Sequence, residues 1–193
     1  MLTQHVVPLA LRRRVCGFIS CKYSTTVGKT VVTAVEKGLE YEDQVARVMA
    51  LYNCRLTPTS MSVDGGVDHY GVWALPDNDV QIVTQCKHEQ SPTGVSYLRE
   101  FEGVLSSQPN SVVGVFASAS GYSVFAKRFF SRMQNPAIRM TIVHDTMVEF
   151  DMNPVARRRL PRLVPGTAFT NNVPNVVLMY DGCVLRTPPF THG

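Results

Sequence analysis

Asp64-Gly65-Gly66-Val67-Asp68 and, on the next β-like run, Gln85-Cys86-Lys87 would bring a carboxylate, an amide oxygen and an ammonium to the centre of one hairpin. Those groups suit a Mg²⁺ site at which water attacks a phosphodiester. Mg²⁺ takes oxygen ligands at about 2.0–2.1 Å and commonly needs only one or two protein carboxylates plus the substrate phosphate. The metal acidifies or positions the water, while a lysine beside it orients that water or stabilises the charge developing on phosphorus. On its own Asp68 would read as a turn residue after two glycines. Its pairing with Gln85 and Lys87 at hairpin spacing favours a site. Asp64 is expected to shape the glycine turn rather than to bind metal. Lys87 on a half-buried sheet face would alone read as a snorkelling edge lysine, but it shares its face with Gln85. His69 and His88 flank the motif and are not assigned to it, because surface and core histidines outnumber ligands.

The elements that must position these groups follow from periodicity. From Glu36 to about Tyr52, the residues Tyr41, Val45, Val48, Met49 and Tyr52 form a helical apolar stripe, with Glu42 at its edge. Arg55–Thr59 reads as a short strand, and Gly65-Gly66 breaks regular structure. A strand over Val67–Ala74, a turn at Pro76–Asp79 and a strand over Val80–Lys87 make the hairpin. In the second strand Ile82, Thr84 and Cys86 face one way and Val83, Gln85 and Lys87 the other. Val95, Leu98, Phe101, Val104 and Leu105 have helical spacing, and Val112–Ala117 is an apolar run expected to be buried on both faces. A helix opening at Ser120–Ser123 should place Phe125, Phe129 and Met133 inside. Arg139–Val143 reads as a strand, Arg157–Arg162 as a basic loop, and Val176–Tyr180 with Cys183–Arg186 as a hairpin joined by Asp181-Gly182. The expected fold is α/β, a mixed central sheet flanked by helices, followed by a C-terminal basic loop and β-hairpin.

The chain has 193 residues and a formal net charge of +4, but the charge is uneven. Arg12, Arg13, Arg14, Lys22 and Lys29 lie in the first 35 residues, which contain no acid; the remainder holds 14 basic against 15 acidic residues. Global charge therefore gives no argument for nucleic-acid binding, and only local patches can. The leader is basic, acid-free and hydroxyl-bearing, with arginines mixed among apolar residues. It has the composition of a mitochondrial transit peptide, taken as residues 1–29, with Lys22-Tyr23-Ser24 as a cleavage region and Cys21 where an arginine is usual. No apolar run is long enough to span a membrane. Five cysteines without a CxxC pair support neither a disulfide scaffold nor a zinc site.

Several segments carry a family resemblance. Gly38-Leu39-Glu40-Tyr41-Glu42 has a glutamate following an aromatic; Asp64–Asp68 has the form DxGxD, and Gln85–Lys87 the form QxK. Arg99-Glu100-Phe101-Glu102-Gly103, and Gly114–Gly121 with Ala126, complete an ordered set over about residues 36–145. Together they resemble the Mrr-like branch of the PD-(D/E)xK restriction-endonuclease superfamily. With the leader and Gly71–Pro76, the chain looks most like the fungal mitochondrial proteins named for a requirement in respiratory growth. The resemblance implies a restriction-endonuclease-like domain over residues 36–152 and a mitochondrial, matrix location; the change of character after Asn153-Pro154 sets off an extension over 153–193, and a role in mitochondrial genome maintenance is the general expectation for such a protein. It implies that Asp68 is the principal metal ligand, that Gln85 stands where most members keep a carboxylate, that Lys87 is the catalytic lysine, and that Glu42 is a helix carboxylate reaching the metal. Gln85 lowers the charge facing Mg²⁺ by one, so Glu42 must compensate.

The first expectation is thus a mitochondrial Mg²⁺-dependent nuclease, or nuclease-like protein, acting on DNA. A non-catalytic nucleic-acid-binding module and an assembly factor on the same fold are the alternatives. Ser120, Tyr122, Lys127, Arg128 and Arg132, and the patch Arg157–Arg162, are candidate phosphate contacts, with a solvated surface as the equal alternative. Many superfamily members act as homodimers; nothing in this sequence identifies an interface.

Overall fold

The computed structural model describes residues 33–59, 65–170 and 173–185. Asp64, the transit-peptide assignment over 1–29 and the end of the expected hairpin at Arg186 lie outside the described residues. Helix α1 (Ala34–Ala50) starts at a capping box: Thr33 Oγ1 accepts from the Glu36 amide, and the Glu36 carboxylate accepts from the Thr33 amide. Its buried residues are Tyr41, Val45, Val48 and Met49, the apolar stripe expected from the sequence.

Six strands follow: β1 (Cys54–Pro58), β2 (His69–Ala74), β3 (Asp79–Lys87), β4 (Val113–Ser118), β5 (Ala137–Val143) and β6 (Thr146–Met152). They lie in one sheet in chain order. The pairs β3–β4 and β4–β5 are parallel and the other three antiparallel, so the sheet is mixed. The two parallel steps need crossovers, supplied by α2 (Val95–Ser106) and α3 (Val124–Phe130). Residues of α2 and α3 pack with Val83 and Phe116 on one face of the sheet; those of α1 pack with Ile82, Cys86, Val115 and Met140 on the other. Alternation along β3 thus sends Gln85 to the α2 side. All six residues of β4 are buried, as its unbroken apolar run predicts.

Beyond the sheet come α4 (Pro154–Arg159), β7 (Leu163–Thr170), β8 (Val173–Tyr180) and β9 (Cys183–Val184). The last three strands form a second antiparallel sheet. Leu163, Leu178, Tyr180 and Leu185 belong to the same apolar cluster as α1 and the central sheet, and Tyr52 donates its hydroxyl to Val176 O at 3.0 Å. Asp181 and Gly182 take positive φ, the primed turn that Asp-Gly favours.

Two local expectations are corrected. Phe125 is 71% exposed, while Ala126 and Phe130 are the buried residues of α3. Ser123 caps that helix, which is only two turns long, so the 126/130 pair sets its inner face rather than 125/129. The expected loop at Arg157 begins as helix α4, because Asn153 caps it and Pro154 occupies its first turn. Strand β6 does alternate, Val148, Phe150 and Met152 against Glu149 and Asp151, yet it is not among the expected elements, nor is β7. Their positions follow from pairing with β5 and β8.

Asn153 ties α4 to the sheet. Fully buried, it accepts at Oδ1 from the amides of Ala137 and Ala156 and donates Nδ2 to Asn135 O and Met133 O. Asn153→Ala removes a cap and orphans several buried polar groups. The expected loss is about 3 kcal/mol, read as a lower urea midpoint with an unchanged m-value. An unchanged midpoint would show that the network contributes no net stability.

Candidate metal-dependent nuclease site

Residues Asp68, Gln85, Lys87 and Glu42 come from three elements. Asp68 immediately precedes β2, opposite Gln85 if the β2–β3 register, which pairs His69 with Thr84, is continued by one residue. Its backbone is fixed on both sides: its amide donates to Thr84 O at 2.9 Å, and its carbonyl accepts from the Thr59 amide at 2.9 Å. Its carboxylate Oδ2 accepts from the Cys86 amide at 2.5 Å. A carboxylate held this way cannot swing out to solvent. Burial raises its pKa above the ordinary range, with the Cys86 N–H and the Lys87 charge opposing.

Gln85 is 2% exposed, and its Oε1 has no hydrogen-bond partner among the described residues. An orphaned buried amide oxygen is costly, and beside a buried carboxylate it is a ready ligand for a hard cation. Lys87 ends β3 half-buried, its Nζ 5.3 Å from the centre of the Tyr97 ring. Glu42 sits on α1 next to the anchored Tyr41. Its pKa is raised by burial and then by the neighbouring charges of Asp68 and Asp43, with Lys87 opposing. Asp68, Lys87 and Glu42 are therefore electrostatic neighbours.

The donor set fits a hard divalent ion: two carboxylates and an amide oxygen, with no sulfur or imidazole on the same face. Among the described residues, no three His, Cys, Asp or Glu side chains gather into a cage.

Two further residues frame the site from α2. Gly66 has φ +93°, and a Cβ there would lie 3.2 Å from Gln85 Nε2 and 3.7 Å from Glu100 Oε1. Glu100 thus reaches the rim of the site, one helical turn from Tyr97. Their i, i+3 spacing was visible in the sequence, but nothing there indicated which face of α2 would overhang β3. The flanking histidines part company. His69 is buried, hydrogen-bonded through Nδ1 to Thr84 Oγ1 at 2.7 Å, with its pKa lowered by burial. His88 is exposed and packs against the Tyr41 ring.

The candidate phosphate contacts are mostly committed elsewhere. Tyr122 is buried, its hydroxyl bonded to Phe116 O and Met140 O, which excludes it from a phosphate-binding surface. Ser120 donates to Ser91 O and Lys127 pairs with Glu149, while Arg128 and Arg132 are exposed. In the basic stretch Arg157 pairs with Asp151, Arg159 donates to Asn110 O, and Arg162 bridges Asp77 and Asp181. Cys54, Cys86 and Cys183 are free thiols.

A mitochondrial protein of Schizosaccharomyces pombe, itself uncharacterized, is 26% identical over 136 residues. The match covers 67% of this chain and 55% of that protein, so the chain spans little more than half of its relative's length. Among solved structures, MspJI restriction endonuclease in complex with a 27-mer oligonucleotide is similar to 52% of this chain and 25% of its own, with 21% identity and a TM-score of 0.43. Residues 34–146 match the restriction endonuclease family of Mrr catalytic domains, a span that includes α1, the hairpin carrying Asp68, Gln85 and Lys87, and the parallel strands β3–β5. The chain belongs to that family.

Proposed function

We propose that the chain is a mitochondrial, Mg²⁺-dependent nuclease acting on DNA. The observation that carries this reading is the unpartnered, buried Oε1 of Gln85, on the strand face it shares with Lys87 and across the hairpin from the pinned Asp68. Asp68, Glu42 and Gln85 would hold the ion. When bound, the ion polarises the phosphoryl oxygens and makes water a stronger nucleophile at neutral pH. Asp68 keeps its carboxylate aimed because the Cys86 amide restrains it. Glu42 supplies the second negative charge, in place of the one Gln85 lacks. Lys87, steadied over Tyr97, donates hydrogen bonds to the non-bridging oxygens where charge accumulates in the transition state. The mitochondrial location rests on the leader's composition and on the name of the fission-yeast relative.

The uncharged Gln85 favours one second reading: a module that binds nucleic acid without cutting it. A single assay separates the two. The full chain and Lys87→Ala are incubated with supercoiled, linear and branched DNA in Mg²⁺, Mn²⁺ or EDTA. Nicking that requires metal, and falls about a hundredfold in the variant, is expected. Folded protein that cuts none of the substrates would overturn the nuclease reading and leave the binding module.

A further inference from the structure

Most arginines of the described residues are committed within the chain: Arg47, Arg139, Arg157, Arg159 and Arg162 each hold an internal partner. Arg99, Arg128 and Arg132 are exposed and have neither an ion pair nor a guanidinium hydrogen bond among the described residues. Arg55 and Arg158 share that condition and sit on β1 and α4.

Arg128 and Arg132 belong to one stripe of α3. Phe125, Arg128, Phe129 and Arg132 recur at i, i+3, i+4 and i+7, a single face of a helix. The turn runs on past the end of α3 to Arg132, whose amide donates to Phe129 O at 2.8 Å. Lys127 falls on another flank and pairs with Glu149, while Ala126 and Phe130 face the core. Phe125 is left 71% exposed. A singly exposed apolar residue needs no explanation; aromatic and cationic residues interleaved along one stripe do.

Helix α2 adds Arg99, its Cζ 5.6 Å from the centre of the Phe129 ring. Two residues apart, Tyr97 and Arg99 point to opposite flanks of α2: Tyr97 toward Lys87 and the candidate metal site, Arg99 toward α3. The ridge and the site are therefore neighbours across one helix. Of the acids on α2, Glu102 is engaged by the Gln134 amide at 2.7 Å, and Glu100 reaches the other way, toward Gly66.

Guanidiniums take phosphates, and aromatic faces take bases. A duplex offers this stripe phosphates but no base faces; an unpaired strand offers both. We propose that the α2–α3 ridge binds single-stranded nucleic acid, with phosphates on Arg99, Arg128 and Arg132 and a base stacked on Phe125. An unpaired stretch beside the scissile phosphodiester then becomes the preferred class of substrate. That placement, though not the binding itself, rests on the nuclease reading.

The test uses the full chain in EDTA, so that binding is read without cleavage, and the cations of residues 1–29 are common to every variant. Fluorescence anisotropy follows labelled oligo(dT), alone and as its duplex with oligo(dA), over a series of salt concentrations. Phe125→Ala should weaken binding of the single strand about tenfold, the scale of one base–aromatic contact, and leave the duplex unchanged. Arg128→Ala combined with Arg132→Ala should flatten the slope of log affinity against log salt by about 1.4, the share of two phosphate contacts to a single strand. Arg55→Ala combined with Arg158→Ala removes the same charge elsewhere and should leave both quantities near wild type. All these side chains are exposed, and an unchanged Tm verifies that each variant is folded.

No binding of the single strand, or a loss in the charge-matched control as large as in the ridge variants, overturns the proposal. So does single-strand affinity that survives Phe125→Ala while self-association, followed by analytical ultracentrifugation, is lost; the ridge is then a protein contact. Ridge-dependent binding without cleavage in Mg²⁺ keeps the ridge and rejects the nuclease. Cleavage in Mg²⁺ with a single-strand affinity that no ridge variant alters keeps the nuclease and rejects the ridge.

Discussion

Asp68→Asn is expected to lower metal-dependent cleavage about a thousandfold while raising the thermal stability of the metal-free protein at neutral pH. The loss follows from removing the best-placed negative ligand from a set already short of one charge. Metal-centred charge stabilisation amounts to several kcal/mol, and every 1.36 kcal/mol is a factor of ten in rate. The stability gain comes from the opposite side of the same geometry. Burial raises the folded-state pKa of Asp68 above the value near 3.9 of an unfolded aspartate. Between those two pKa values the folded chain binds more protons than the unfolded one, so stability falls as pH rises through that window and stays reduced above it. Asparagine carries no charge to desolvate, and its carbonyl can still accept from the Cys86 amide. In EDTA the variant's advantage in Tm should therefore be small at pH 4 and grow as pH rises toward neutrality. Glu42→Gln should show the same sign, because its pKa is also raised. An Asp68→Asn protein that cuts like wild type, or melts lower than wild type at pH 7, would remove Asp68 from the site.

Gly114→Val is expected to lower stability by about 3 kcal/mol or more. Gly114 lies in β4, and a Cβ there would sit 2.5 and 2.6 Å from the two Leu105 methyls and 2.7 Å from Phe101 Cζ. Leu105 and Phe101 are 4% and 1% exposed and are themselves enclosed by the α2–α3 cluster, so neither has free space to retreat into. Overpacking a closed core costs about 1–3 kcal/mol, and valine adds two methyls beyond the first clash. The cost should reach the top of that range or exceed it, against a total of about 5–15 kcal/mol for an ordinary domain. Leu105→Ala in the same chain should restore part of the loss, since it empties the space the valine needs. Circular dichroism with urea titration of the single and double variants reads both effects. A single variant as stable as wild type would mean that α2 can lift off the sheet without penalty. Any Gly114→Ala protein that does fold should cleave poorly, because the helix it displaces carries Tyr97 and Glu100.

The central layer was legible in the sequence for a physical reason. Strand β3 alternates over Asp79–Ile82 and is then buried on both faces, β4 is buried throughout, and the α1 stripe repeats at helical spacing, so the patterns indicate their type. The sharing of one face by Gln85 and Lys87 followed from the two-residue repeat and needed no fold. Strand β6 was equally legible, Val148, Phe150 and Met152 alternating with Glu149 and Asp151, which meet Arg139, whereas a proline and a glycine interrupt β7. The α3 face was misjudged because phenylalanines outnumber the positions available inside a two-turn helix. Glu100 and Tyr97 were invisible as site residues because their role depends on how α2 crosses β3, a tertiary angle that no local pattern encodes.

The internal pairing of arginines has a kinetic consequence. Arg139, Arg157, Arg159 and Arg162 each commit a guanidinium to a partner within the chain, and residues 36–193 carry nearly equal numbers of basic and acidic groups. For a nucleic-acid ligand, such a body has little long-range field with which to draw the phosphate backbone in. Encounters then proceed near the unsteered rate of about 10⁵–10⁶ M⁻¹s⁻¹. Few counterions are released on contact, and tightness depends only weakly on ionic strength. Were the chain to hold nucleic acid, the time spent bound, rather than the speed of arrival, would then set which strands it holds.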